Sequence, residues 1–252
     1  MEKGITRRET IKGLAAIFGG LLAFDLSPLP PGPEPKLAGE TLIYSFSVLK
    51  FADVGTATFS LDKEGNDLYL GTFKTDPRGL LPKLASVPRF TYQARMERLN
   101  GGRLRALEII RRREGSEVRE ERESYDYNLG IFTYQVSIDG EKKETGQREI
   151  PRGTMIDSFL SIFYNLRLQV YGEVKEGASF ETQSLDKKRG LINIHIKVDG
   201  DGNRLLAQVT GDGKKGQIDL LLNRELVPVA ISAVNFIGPF DLFGKLKERK
   251  TA

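Results

Sequence analysis

The 252-residue chain has a single histidine, His195, and no cysteine, which narrows its possible chemistry. Catalytic triads and zinc sites nearly all need histidine, and zinc sites usually need more than one, or cysteines beside it. In Leu191-Ile192-Asn193-Ile194-His195-Ile196-Lys197-Val198 the histidine shares a strand face with Asn193 and Lys197, opposite the isoleucines. That is the place of a surface or cavity-lining residue, and no G-x-S-x-G elbow accompanies it. Without cysteine there is no disulfide or thiolate chemistry and no lipid-modified cysteine. Carboxylate-only hydrolysis of the glycosidase kind has 34 Asp and Glu to draw on, but nothing in their spacing selects a facing pair.

Two further motifs dissolve on inspection. Gly211-Asp212-Gly213-Lys214-Lys215-Gly216 spells G-x-G-x-x-G, but the phosphate-binding mechanism needs a helix to begin there, and Gln217-Ile218-Asp219-Leu220-Leu221-Leu222 reads as a strand. Asp199-Gly200-Asp201-Gly202-Asn203 begins like a calcium loop, yet Arg204 and Thr210 stand where glycine and glutamate are required. Turn chemistry explains both stretches. The reading is of a chain with no catalytic, cofactor-binding or metal-ligating residues and no cofactor.

Other residues have both a structural and a functional reading. Arg111-Arg112-Arg113 sits in a stretch from Glu97 to Glu123 where arginines and glutamates interleave. It reads as two solvated strand faces laced with ion pairs, or as an anionic-ligand patch. Asp76 to Pro88 holds three prolines with apolar Leu80, Leu81, Leu84 and Val87. It is either a loop closing a barrel over its own core or an apolar lip at a ligand entrance or membrane contact; Phe236 to Gly244 poses the same choice. Tyr125, Tyr127, Tyr134 and Tyr171 could supply exposed aromatic rings for a partner surface.

The elements that must position these groups are mostly strands. Leu42, Tyr44, Phe46 and Val48 alternate with other residues, and period two continues through 54–61, 68–73, 90–99, 104–112, 117–126, 131–138, 191–198, 204–210, 216–223 and 228–236. Asn100-Gly101-Gly102 and Asp139-Gly140 supply hairpin turns. One helix stands out over about 154–168: Thr154 and Asp157 form a capping box, and Met155, Phe159, Ile162, Phe163 and Leu166 recur at helical spacing. Asp157 and Arg167 lie ten positions apart on it, about 15 Å at 1.5 Å per residue, too far for a direct ion pair. Asp157 reads as a cap and Arg167 as a cation favoured at a helix C-terminus. The expected fold is mainly β, a strongly curved antiparallel sheet or incomplete barrel packed around this one helix.

The beginning of the chain reads as an address. Arg7 and Arg8, with Lys12 after them, precede an apolar stretch from Gly13 to Phe24 and then Asp25, the layout of a bacterial export signal resembling the twin-arginine class. Residues 1–26 are read as that signal, 27–38 as a proline-rich linker, 39–245 as one β-rich domain, and 246–252 as a charged tail. Four basic and two acidic side chains in the first 23 residues account for half of the net charge of +4. The rest is nearly balanced, which gives no reason to expect nucleic acid. A soluble periplasmic protein, not a lipoprotein, follows as the expectation, with the export machinery as a transient partner.

Three stretches resemble an exported bacterial family known as domain of unknown function 3108. They are Gly39-Glu40-Thr41-Leu42-Ile43-Tyr44-Ser45-Phe46 with Val54-Gly55-Thr56-Ala57-Thr58, the helix Asp157-Ser158-Phe159-Leu160-Ser161-Ile162-Phe163-Tyr164-Asn165-Leu166-Arg167, and Arg224-Glu225-Leu226-Val227-Pro228-Val229. In the helix, Asp157, Ser158, Tyr164 and Arg167 carry the likeness. The resemblance implies a periplasmic location and a curved antiparallel fold around a helix, but no reaction. The expected function is non-enzymatic binding or carriage of an apolar or lipid-like ligand in cell-envelope maintenance. The alternative is a periplasmic scaffold or assembly factor that binds envelope protein or polysaccharide through its outer surface.

Overall fold

The computed structural model describes residues 37–48, 52–78, 88–201, 204–211, 217–237 and 240–251. The leader with Arg7, Arg8 and Lys12, and the lip residues Leu80, Leu81, Leu84 and Val87, lie outside the described residues.

Among the described residues, fourteen strands form one antiparallel sheet. They are β1 (Glu40–Val48), β2 (Ala52–Lys63), β3 (Leu68–Pro77), β4 (Arg89–Arg98), β5 (Leu104–Glu114), β6 (Val118–Asp126), β7 (Ile131–Ile138), β8 (Glu141–Glu149), β9 (Ser179–Asp186), β10 (Gly190–Asp201), β11 (Arg204–Gly211), β12 (Gln217–Leu222), β13 (Pro228–Ile237) and β14 (Phe240–Thr251). The order β8-β7-β6-β5-β4-β3-β2-β1-β14-β13-β12-β11-β10-β9 makes β8 and β9 the edges. These two are consecutive in the chain, so the sheet curls until its edges face one another across a seam. Side chains span that seam. Arg148 of β8 donates to the carbonyls of Lys187 and Lys188, at 2.8 and 3.0 Å, and Lys187 reaches Glu121 of β6 at 2.9 Å. The expected curved, barrel-like β fold is what the chain adopts.

Antiparallel pairing makes all odd-numbered strands run toward one end, here called the mouth. The opposite end receives both ends of the segment between β8 and β9, which contains the helix α1 (Phe159–Arg167). Inward positions are apolar where the sequence alternates: Leu42, Tyr44 and Phe46 on β1, Phe59 and Leu61 on β2, Tyr92, Ala94 and Met96 on β4 are all buried. Phe163 of α1 stacks on Phe59 with ring centroids 4.6 Å apart, and Phe159 meets Phe59, Phe73 and Tyr92 at about 6 Å. Nine residues are too few to hold a helix by propensity, so this packing maintains it. The side chains of a Phe and a Leu buried this way each contribute roughly 1.5–3 kcal/mol.

Two expectations need correction. The helix does not begin near 154, and Thr154 is not its cap. Ile156 forms a parallel bridge with Gln183 of β9, and the Asp157 amide donates to the Gln183 carbonyl at 2.7 Å. That extended backbone cannot be helical, so the helix starts only at Phe159, with Ser158 as N-cap in a capping box with Ser161. The tail at 246–252 is also corrected. Residues up to Thr251 belong to β14, which pairs with β1 from Val48↔Leu242 to Glu40↔Thr251. The consecutive charges Lys247-Glu248-Arg249-Lys250 offer no apolar alternation, and residues 247–251 are exposed, which hides this end of the strand from a period-two reading. The sequence reading also passed over β8 and β9. β8 is exposed along nearly its whole length and offers no apolar alternation. A charged edge of that kind discourages sheet-to-sheet pairing.

Candidate functional site

The helix is fixed at both ends by buried charges. At its C-terminus Arg167, 6 % exposed, makes a two-pronged ion pair with Glu40, 2 % exposed, one contact being 3.0 Å, and its Nε donates to the Leu226 carbonyl at 3.0 Å. Arg249 of β14 adds a second cation to Glu40 at 2.8 Å and also meets Glu225. The Tyr44 hydroxyl donates to the Pro228 carbonyl at 2.8 Å. Thus Arg167 does more than complement the helix dipole: it ties α1 to β1, to β14 and to the turn between β12 and β13. Tyr164, one turn earlier, is buried.

Just before the N-cap, Asp157 is wholly buried and sits at the centre of a network. Its Oδ2 accepts from Arg103, Thr182 and the Tyr171 hydroxyl, the last at 2.8 Å, and its Oδ1 accepts from Asn165 and Ser161, both at 3.2 Å. Asn165 also bridges both backbone groups of Leu104 at 2.8 Å. Burial, and then the Asp157 charge, push the Tyr171 phenol well above its ordinary range, so it remains a proton donor. Asp157 is therefore an inter-strand anchor, not the helix cap. Asp157 and Arg167 each find a separate partner, in keeping with their separation along the helix.

The mouth combines two surfaces. On one side a small apolar cavity of about 30 Å³ is lined by residues including Tyr44, Phe46, Phe59, Phe73, Phe159 and Ile231. On the other, inward positions of β5 and β6 carry charge. Arg111 pairs with the buried Glu123 in two contacts, one at 3.0 Å, and the Tyr125 hydroxyl donates to Glu123 at 3.0 Å. Glu121 accepts from Arg119 at 2.8 Å and from Lys187 at 2.9 Å. Burial would raise the Glu121 carboxyl, but hydrogen bonds from Lys187 and Arg119 and the fields of Lys187 and Arg111 outweigh it, and its pKa lies below the ordinary value. Arg111 also lies over the Tyr92 ring, 5.5 Å from its centroid. Arg112 differs: it points to the outer face and pairs with Glu114 and Glu120.

His195 is exposed on the outer face of β10, 3.1 Å from Glu181. Among the described residues no three His, Cys, Asp or Glu converge to hold a metal ion, and no helix is long and apolar enough to cross a membrane. The tyrosines considered as partner-facing rings are inside the structure. Tyr125 is buried, Tyr127 donates to the Ala106 carbonyl at 2.9 Å, Tyr134 packs on the core and Tyr171 is held by Asp157. The sequence reading missed Glu40, Arg103, Thr182 and Glu123 as buried polar residues. Glu40 shares the inward parity of Leu42 and Tyr44, and Glu123 that of Tyr125. A charge at a core-facing parity was the available signal.

No family model matches the chain, and no curated protein matches it. Its structure is similar to the crystal structure of a β-barrel-like protein of domain of unknown function DUF1849 from Brucella abortus. The TM-score is 0.53 at 10% sequence identity, covering 87% of this chain and 100% of that one. At that identity the likeness shows the fold alone.

Proposed function

We propose that the protein is an exported, non-enzymatic binding protein that takes an apolar, lipid-like ligand at the mouth of its barrel in the bacterial periplasm. The observation that carries this reading is the apolar cavity between Phe159 of α1 and the strands around it. Its lining includes Phe73 of β3, and the sequence joining β3 to β4 carries the apolar Leu80, Leu81, Leu84 and Val87. Its volume of about 30 Å³ is far below the roughly 300–1,000 Å³ of small-molecule sites. Uptake therefore requires the Phe159 and Phe73 rings to swing aside. The leader with Arg7, Arg8 and Lys12, and the resemblance to domain of unknown function 3108, support a periplasmic location.

The test is native against denaturing mass spectrometry of the full chain expressed with its leader in a bacterium and purified from the periplasm without detergent. A stoichiometric adduct of lipid-like mass, lost on unfolding, is expected. A clean protein mass, together with no uptake of a fluorescent fatty-acid probe, overturns the reading and leaves the outer-surface scaffold as the better account.

A further inference from the structure

We infer that the mouth contains an anion-binding subsite formed by Arg113 and Arg119, so that the ligand is an anionic amphiphile: its charged head rests on these guanidiniums and its tail passes Phe159. This rests on the apolar-ligand reading and specifies its chemistry. Arg113 and Arg119 are direct cross-strand partners between β5 and β6, and Arg113 is also the partner of Phe90 on β4. Cross-strand partners share a sheet face. The Phe90 ring lies 6.2 Å from the buried Phe73, which fixes that face as the inner one. The alternation agrees, since Arg111, two residues earlier, points inward to Glu123 and Arg112 points outward.

Among the described residues the Arg113 guanidinium makes no ion pair or hydrogen bond, while Arg119 is already engaged by Glu121. Like charges placed directly opposite are destabilising in a sheet. Among the described residues, four inward cations at this end, Arg111, Arg113, Arg119 and Lys187, face two inward carboxylates, Glu121 and Glu123. Asp186, the next carboxylate, accepts from the amides of Lys188 and Arg189 at 2.8 Å and caps that turn. An excess of positive charge in a concave, partly apolar mouth concentrates the field on an incoming anion. The guanidinium fork matches carboxylate and phosphate oxygens. Arg111, the Tyr92 ring beneath it and Phe159 beyond it then lead from the charged side to the apolar cavity.

The experiment titrates the full chain, purified from the periplasm, with 11-(dansylamino)undecanoic acid and with its methyl ester, which has the same tail and no charge. The acid is expected to bind about tenfold more tightly, a factor worth 1.4 kcal/mol. Arg113→Gln should remove most of that preference, leave the ester unchanged and leave the melting temperature equal or higher. Competition by oleate against lysophosphatidylglycerol then separates a carboxylate head from a phosphodiester head, and displacement by either supports the subsite. Equal binding of acid and ester, or an unaltered preference in Arg113→Gln, overturns the subsite while sparing the apolar site. Failure of both probes to bind overturns the apolar reading and the subsite with it.

Discussion

Arg167 and Glu40 are 127 residues apart in the chain, yet their side chains meet in a fully buried two-pronged ion pair where the end of α1 reaches the start of β1. The three stretches that carry the family resemblance converge here, because Leu226 and Glu225 complete the cluster. Removing one partner strands a buried charge. Arg167→Met or Glu40→Gln is expected to cost about 3–5 kcal/mol in urea unfolding. The double variant should cost clearly less than the sum of the two. Strict additivity would show that the pair is not coupled.

Asp157 holds the other end of α1 to β9 and to the turn before β5. Asp157→Asn keeps the shape but puts an amide group where donors already point, and should cost about 2–4 kcal/mol. Arg103→Met should cost less, since Arg103 is 23% exposed against 0% for Asp157. A change within about 0.5 kcal/mol for Asp157→Asn, the range of ordinary surface substitutions, would mean the network does not anchor the helix.

The two ends of the barrel differ in how much of them sequence could convey. Strand pattern is local: Leu42, Tyr44 and Phe46 announce an inward face through period two alone, and eleven strands are legible in that way. β8 was not, because a solvated edge needs no apolar residue, and neither was the second half of β14, whose partner β1 lies at the far end of the chain. The helix was legible from Phe159 onward, whereas its start was set by a tertiary bridge between Ile156 and Gln183. Of the candidate sites, Arg111 and Arg113 were singled out together with the outward Arg112. Only register separates them, placing Arg113 opposite Arg119 and Phe90.

Gly55 belongs to the stretch Val54 to Thr58. Its φ is +149°, and a Cβ there would stand 2.2 Å from the Asp76 carbonyl oxygen. Gly55→Ala must move backbone between β2 and β3, and is expected to cost about 2–4 kcal/mol in thermal or urea unfolding. Gly65→Ala is the control: its Cβ would meet Leu68 at an ordinary 3.7 Å, so the change should stay within about 0.5 kcal/mol. Equal stability of the two variants would refute the steric account.

The proposed export by a twin-arginine route makes a sharp demand on Arg7 and Arg8. Replacing both by lysine conserves the positive start that a general secretory signal needs, but removes the pair that the twin-arginine machinery reads. The double variant Arg7→Lys with Arg8→Lys should accumulate as a cytoplasmic precursor, followed by cell fractionation and mass. Undiminished periplasmic protein would place export on the general route.

Glu121 makes the mouth sensitive to acid. Its folded pKa lies below the ordinary 4.5 because hydrogen bonds from Lys187 and Arg119 and the fields of Lys187 and Arg111 outweigh burial. For a carboxylate depressed on folding, the unfolded chain takes up the proton first. The stabilisation is therefore complete above pH 4.5 and is lost as the pH falls through the lower folded value. Lys187 belongs to the turn joining β9 to β10, whereas Glu121 belongs to β6, so protonation removes a contact that spans the seam. The stability difference between the natural protein and Glu121→Gln should be greatest near neutrality and shrink below pH 4.5. A difference independent of pH would mean that Glu121 is not held by these cations.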